Sequence, residues 1–206
     1  GGSAAAELVA SLAGHLVPVG LVVTRQAVDV TGAVLAHDRG QCAHDTSGDL
    51  LVDRILGASP ESRIPDRIRE REGLSYAVQS WLGVSSFEEN TPMFLYAIFA
   101  PENRERVRAG VAEELARALK DGFTETEVAS AKRALLQGRR IARAQDAALA
   151  GGLTQQAYLG RTWDFAAKID AGLEAVTVER ANAVLRKYVD TAGFAWSYAG
   201  DFAKAH

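Results

Sequence analysis

The chain is 206 residues long, 48% hydrophobic and 24% charged, with 23 basic against 26 acidic side chains and a formal net charge of -3. That length can bury a core without disulfides or metals, and the single cysteine, Cys42, excludes an internal disulfide. Bases alternate with acids, as in residues 69–73 and 102–108, which argues against nucleic-acid binding, and no apolar run approaches the ~20 residues a spanning helix needs.

Residues 4–13 have helix-forming composition, with Leu8, Val9 and Leu12 on one stripe, and Pro18 and Gly20 break the pattern. Residues 1–20 therefore read as an N-terminal helix and linker, with residues 1–3 as an expression remnant. Met93 is the only methionine, so the sequence reads as a fragment or a processed product. The valine-rich run from Ala27 to Ala36 predicts a strand with Gly32 as a bulge, and a polar loop follows over residues 37–48. Asp49 to Leu56 predicts a short helix stopped by Gly57. The next helix is capped by Ser62 or Ser59, holds Pro65 in its first turns and runs to Glu72, with Gly73 as a left-handed terminator. Tyr76 to Leu82 and Met93 to Phe99 predict an antiparallel hairpin joined by a polar connection.

The second half predicts helices. Pro101 opens one carrying Val107, Val111, Leu115, Ala118 and Leu119 on one face and ending at Asp121-Gly122. Thr124 and Glu127 have capping-box spacing before a helix with Val128, Ala131, Leu135 and Ile141 inward, extending towards Gly151-Gly152. A shorter helix is expected around Trp163 to Leu173. Thr177 caps the last one, with Val178, Ala181, Val184, Leu185 and Tyr188 buried, and Phe194, Trp196 and Tyr198 alternate in a closing strand. This order predicts an α+β fold, a mostly antiparallel sheet with several helices on one face, forming one domain over residues 21–206.

Residues 62–76, SRIPDRIREREGLSY, resemble the insulinase (pitrilysin) family pattern of Ser-Arg-Leu, a helical turn, Arg-Glu, two residues and Gly-Leu-Ala-Tyr, with Ile64 and Ser75 as departures. ILG at 55–57, APENRERV at 100–107, GFTETEVASAKRALL at 122–136, VTVERANAVLRKYV at 176–189 and YAGDF at 198–202 continue the resemblance in order. It covers about residues 27–202 as a series of motifs. The resemblance implies an active peptidase built from two similar halves that close on a peptide substrate, one carrying zinc on an H-x-x-E-H helix. The other half is metal-free and offers substrate an arginine and, seven residues later, a tyrosine, which fall here on Arg69 and Tyr76.

His15, His37, His44 and His206 include no pair four residues apart with the required glutamate, so the chain resembles the metal-free half of a bacterial, processing-peptidase-like enzyme. It is expected to hold no cofactor, to cut nothing alone and to pair with a zinc-bearing half. That half is supplied by the same polypeptide or by a separate subunit, giving a homo- or hetero-dimer. A guanidinium fork and a phenol can grip a peptide carbonyl and stabilise the oxyanion formed as zinc-bound hydroxide attacks, and a placed donor of this kind contributes roughly 3 kcal/mol. The alternative function is a scaffold subunit of a larger assembly with the same fold. The compartment, bacterial cytoplasm or periplasm, is not readable.

Other constellations are weaker. His37, Cys42, His44 and Asp45 share a loop, but their spacing matches no structural zinc pattern. Glu88 and Glu89 are adjacent in the hairpin connection and read as solvated. Ser62, Ser75 and Ser85 lack a nucleophile-elbow context, and Gly151-Gly152 lacks the lysine of a phosphate loop. Arg139, Arg140 and Arg143 read as a solvated run or a face towards the partner half.

Overall fold

The computed structural model describes residues 20–25, 46–82, 93–189, 191 and 194–199. The expected helix at 4–13, the expected strand at 27–36, the loop with His37, Cys42 and His44, and the connection with Ser85, Glu88 and Glu89 lie outside these residues.

In chain order the elements are β1 (Gly20–Arg25) and α1 (Thr46–Leu56), then α2, which begins as a single α-turn (Arg63–Pro65) and widens into a π-helical stretch (Asp66–Arg71). β2 (Ser75–Leu82), β3 (Met93–Phe99), a 3-10 turn (Pro101–Asn103) and α3 (Arg104–Asp121) follow. The chain then runs through α4 (Glu125–Arg143), α5 (Asp146–Tyr158), α6 (Asp164–Ala175), α7 (Val178–Tyr188) and β4 (Phe194–Ala199). The α+β architecture is as the sequence predicts.

The four strands form one antiparallel sheet in the order β2-β3-β1-β4. β1 is the unexpected member, lying within what the sequence reads as linker and its sequel. Its backbone joins the hairpin to the closing strand, with Val23 opposite Leu95 on one side and Trp196 on the other.

Burial alternates along β3: Met93, Leu95, Ala97 and Phe99 enter the core, while Phe94, Tyr96 and Ile98 lie half-buried on the opposite face. Period-two alternation is what a sheet with one packed face requires. Onto the core face pack Leu51 and Leu56 of α1, Val107, Val111 and Leu115 of α3, and Ala181 and Leu185 of α7. Phe194 is buried, and Trp196 and Tyr198 pack against the same core, with the Arg108 and Arg104 guanidiniums over their rings at 5.5 and 5.6 Å.

The helix ends follow local chemistry. Thr124 and Glu127 form the expected capping box at α4, and the Thr177 hydroxyl accepts the Arg180 amide at 3.2 Å to start α7. Gly73, at φ 61°, is the left-handed residue that ends α2.

Three expectations need correction. Ser62 occupies the N-cap position of α2 without capping it, because its hydroxyl donates to the Arg54 carbonyl at 2.8 Å and accepts the Ser59 amide at 2.9 Å. The helix from Thr124 does not reach Gly151-Gly152 but breaks at Ala144-Gln145, where α5 begins a separate course. Ile141, expected inside, is 54% exposed because it lies beyond the point where α4 leaves the core.

Candidate functional site

Arg69 and Tyr76 lie on either side of the Gly73 turn, and three devices hold that turn. The first is Arg63. Its Nε and Nη2 donate to the two Glu127 oxygens at 2.6 and 2.8 Å, and Nη2 also donates to the Gly122 carbonyl at 2.8 Å, with the guanidinium 5.2 Å from the Phe123 ring centre. Burial pushes the Glu127 carboxyl up, but donation from Arg63 and from the Thr124 amide and hydroxyl outweighs it and holds the group at about 2. This bidentate fork fixes the start of α2 to the start of α4.

The second device is the contact of the π-helical stretch with α3. Ile68 is fully buried against Gly110, where a Cβ would come within 2.5 Å of Ile68 Cδ1. Arg67 donates to Glu72 at 2.7 Å and to Glu113 at 2.5 Å, and lies 3.9 Å from Glu114. Glu114 is itself fully buried and takes both of its bonds from Arg117, at 2.5 and 2.6 Å. Arg71 turns back to Asp66 at 2.8 Å. Arg67 is largely enclosed and Arg71, though 53% exposed, is held by Asp66, while Arg69 lies 3.4 Å from its neighbour Glu70. Its side chain is 48% exposed. A π-turn is a costly local geometry that recurs at functional sites.

The third device is a bulge in β2. Ser75 faces Phe99 and Ala77 faces Ile98, so Tyr76 is an extra residue without its own partner on β3. The Ser75 hydroxyl, itself buried, lies 2.8 Å from the Ala77 carbonyl and 2.6 Å from the Ile98 carbonyl. Tyr76 is left 80% exposed. Such exposure is unusual for a tyrosine that opens a strand beside a packed core.

β2 is a terminal strand of the sheet among the described residues, and its outer edge is partly closed. The Ser80 amide donates to the Gly57 carbonyl at 2.9 Å, and the Ser80 hydroxyl bonds Asp53. Between the bulge and that seal lie Ala77, the buried Val78 and the exposed Gln79.

Among the described residues no three His, Cys, Asp or Glu side chains gather as a metal site. Three carboxylates of these helices are committed to arginines, which does not suit them as zinc ligands: Glu127 to Arg63, Glu114 to Arg117, and Asp170 to Arg139 and Arg143. This corrects the solvated reading of Arg139 and Arg143, while Arg140 is exposed. Arg139 and Arg143 clamp α4 to α6 through Asp170, and Arg139 also reaches the Ala166 carbonyl at 3.2 Å. Burial raises the Asp170 carboxyl, and the two guanidiniums bring it below its ordinary value. The sequence marks Ser75 as a departure from a motif and as a serine without a nucleophile-elbow context, not as a lock. No local signal in β2 marks its role, because its partner across the sheet, the Ile98 carbonyl, is 23 residues away.

A family model described as the peptidase M16 inactive domain matches residues 24–135. An uncharacterized zinc protease of Mycobacterium bovis is 32% identical over 147 residues, 66% of this chain and 31% of that protein. The chain therefore spans less than a third of the length of that curated relative. Among solved structures, the peptidase M16 inactive domain from Pseudomonas fluorescens superposes with a TM-score of 0.70 at 23% identity, over 88% of this chain and 40% of that one. An inactive peptidase domain from Bordetella parapertussis superposes with a TM-score of 0.68 at 13% identity, over 88% of this chain and 92% of that one.

Proposed function

The chain belongs to the peptidase M16 inactive-domain family, and from that premise we propose that it is the metal-free, substrate-contacting half of a zinc peptidase. A second half, in the same polypeptide or in another subunit, would hold the zinc and the general base. This half would form the facing wall of the chamber and present Arg69 and Tyr76 to the bound peptide. Zinc would supply the activated water in the partner. The residues of this chain would hold the scissile carbonyl and donate to its oxygen as negative charge develops there.

One observation supports the reading: a tyrosine left 80% exposed on a bulged strand and a half-exposed arginine on the π-helical stretch that precedes it in the chain, with both segments held by buried partners. A structural protein gains nothing from that combination, since the locks restrict motion while the tips contribute little to the core. Preorganised donors are what transition-state stabilisation requires. An extended peptide adding to the β2 edge between the bulge and the Gly57 contact would pass these tips, and backbone pairing makes few demands on its sequence.

The test is peptide cleavage by the assembled enzyme carrying Arg69→Ala or Tyr76→Phe. Each change should lower kcat by roughly a hundredfold with a smaller change in KM. The isolated chain should cleave nothing. Unchanged kinetics in both variants would remove the substrate role and leave the chain as a scaffold for its partner.

A further inference from the structure

We propose that Ser75 is the positioning residue for Tyr76: its hydroxyl closes the bulge that presents the phenol, so Ser75 sets the reach of a donor it never touches substrate to support. The proposal rests on the substrate role of Tyr76 described above and adds a residue to it.

The geometry is specific. An extra residue in one strand disrupts the ladder, leaving backbone groups whose regular partners are displaced. At this bulge the Ser75 hydroxyl lies within hydrogen-bonding distance of two carbonyls, one on its own strand (Ala77, 2.8 Å) and one across it (Ile98, 2.6 Å). A single proton shared between them holds the strands together at the point where the count goes from two residues to one. Ser75 is buried on the core side, 8% exposed, while the next residue is 80% exposed, so the burial pattern turns over within one step. The Asn103 side chain supports the same corner by donating to the Leu74 carbonyl at 3.1 Å.

Without the hydroxyl two outcomes are open to the strand. It can exchange between the bulged and the regular ladder, or it can relax by one residue to the regular ladder altogether. A one-residue slip sends a side chain to the opposite face of a sheet. Either way the phenol is no longer held in one place, although α2, the Gly73 turn and the core are untouched. Ser75→Ala should therefore affect presentation of Tyr76 more than folding. Threonine keeps the hydroxyl and suits a strand, so Ser75→Thr should restore the behaviour.

Two readouts separate this proposal from the reading beneath it. The first uses the 206-residue chain alone: NMR cross-strand contacts pairing Ser75 with Phe99 and Ala77 with Ile98, with amide exchange over 75–78, report the bulge directly. These signals should be present in the parent chain and in Ser75→Thr, and lost or averaged in Ser75→Ala. The second uses the assembled enzyme. Ser75→Ala should lower kcat by roughly tenfold with KM little changed, and the same substitution in a Tyr76→Phe background should cost almost nothing further.

If Ser75→Ala leaves the bulge contacts intact, the proposal is overturned whatever the kinetics. Equal losses from Ser75→Ala in the parent and Tyr76→Phe backgrounds would also overturn it, because the hydroxyl would then act independently of the phenol. If the bulge contacts vanish while Tyr76→Phe itself leaves cleavage unchanged, the substrate role of Tyr76 falls and Ser75 stands only as the lock of the bulge.

Discussion

Replacing Arg63 with alanine removes three hydrogen bonds together: two to the Glu127 carboxylate and one to the Gly122 carbonyl. A hydrogen bond to a charged group contributes about 1.5–3 kcal/mol in net terms, but the bonds of one fork do not add. The guanidinium is 15% exposed and the carboxylate 29%, which places the pair between the surface regime, about 0–1 kcal/mol, and a broken buried pair, about 3–5 kcal/mol. Thr124 continues to donate to Glu127 after the arginine is lost, which limits the penalty. The expected loss of stability is about 2–3 kcal/mol near neutral pH.

The same pair has a pH signature. Glu127 sits at about 2 in the folded chain against an ordinary 4.5. A carboxyl held low stabilises the fold above its unfolded value, and that contribution disappears as pH falls from about 4.5 towards 2. Its ceiling is about 3 kcal/mol, reduced by the partial exposure of the group. Urea unfolding of the parent and of Arg63→Ala, at about pH 7 and again at about pH 3, reads both effects. The gap between the two proteins should be about 2–3 kcal/mol at the higher pH and shrink to within about 1 kcal/mol at the lower. A constant gap at the two pH values, or one below about 0.5 kcal/mol throughout, would refute the assignment of Arg63 as the clamp between α2 and α4.

Gly110→Val should destabilise the chain by about 1–3 kcal/mol in a thermal melt, because even its Cβ would meet Ile68 Cδ1 at 2.5 Å. Combining it with Ile68→Ala should recover part of the loss if that contact is the cause. Phe99→Ala, which empties a site only 2% exposed at the end of β3, should cost about 3–5 kcal/mol by urea unfolding.

The elements that a reader of the sequence can place are those with local causes. The Thr124/Glu127 box, the Thr177 cap, the Gly73 terminator and the spacing of Val107, Val111, Leu115 and Ala118 all act within one or two turns. β1 escapes because a central strand can be a short continuous apolar run, GLVV, with no alternation to mark it, and Pro18 beside it suggests a linker. The π-helical stretch has no compositional signal: residues 66–71 read as an ordinary helix, and their widening accompanies Ile68 fitting against Gly110, far away in sequence. The break at Ala144-Gln145 is hidden because neither residue is a breaker. For the site, Arg69 and Tyr76 were reachable through the motif around Gly73, but the bulge that exposes the tyrosine was not. Its lock pairs Ser75 with a carbonyl 23 residues away, and no pattern within β2 announces it.

The contact between Gly57 and Ser80 has a consequence for the chain in concentrated solution. A free strand edge invites the same strand of a second copy, and stacked edges are how soluble proteins begin to aggregate. Here the loop after α1 takes the Ser80 amide, and Asp53, a charged side chain directed at the same strand, bonds its hydroxyl. A second β2 running alongside would have to stop short of Ser80 or displace that loop. Among the described residues, the stretch of β2 between the bulge and that loop is Ala77 to Gln79, too short to template a growing stack.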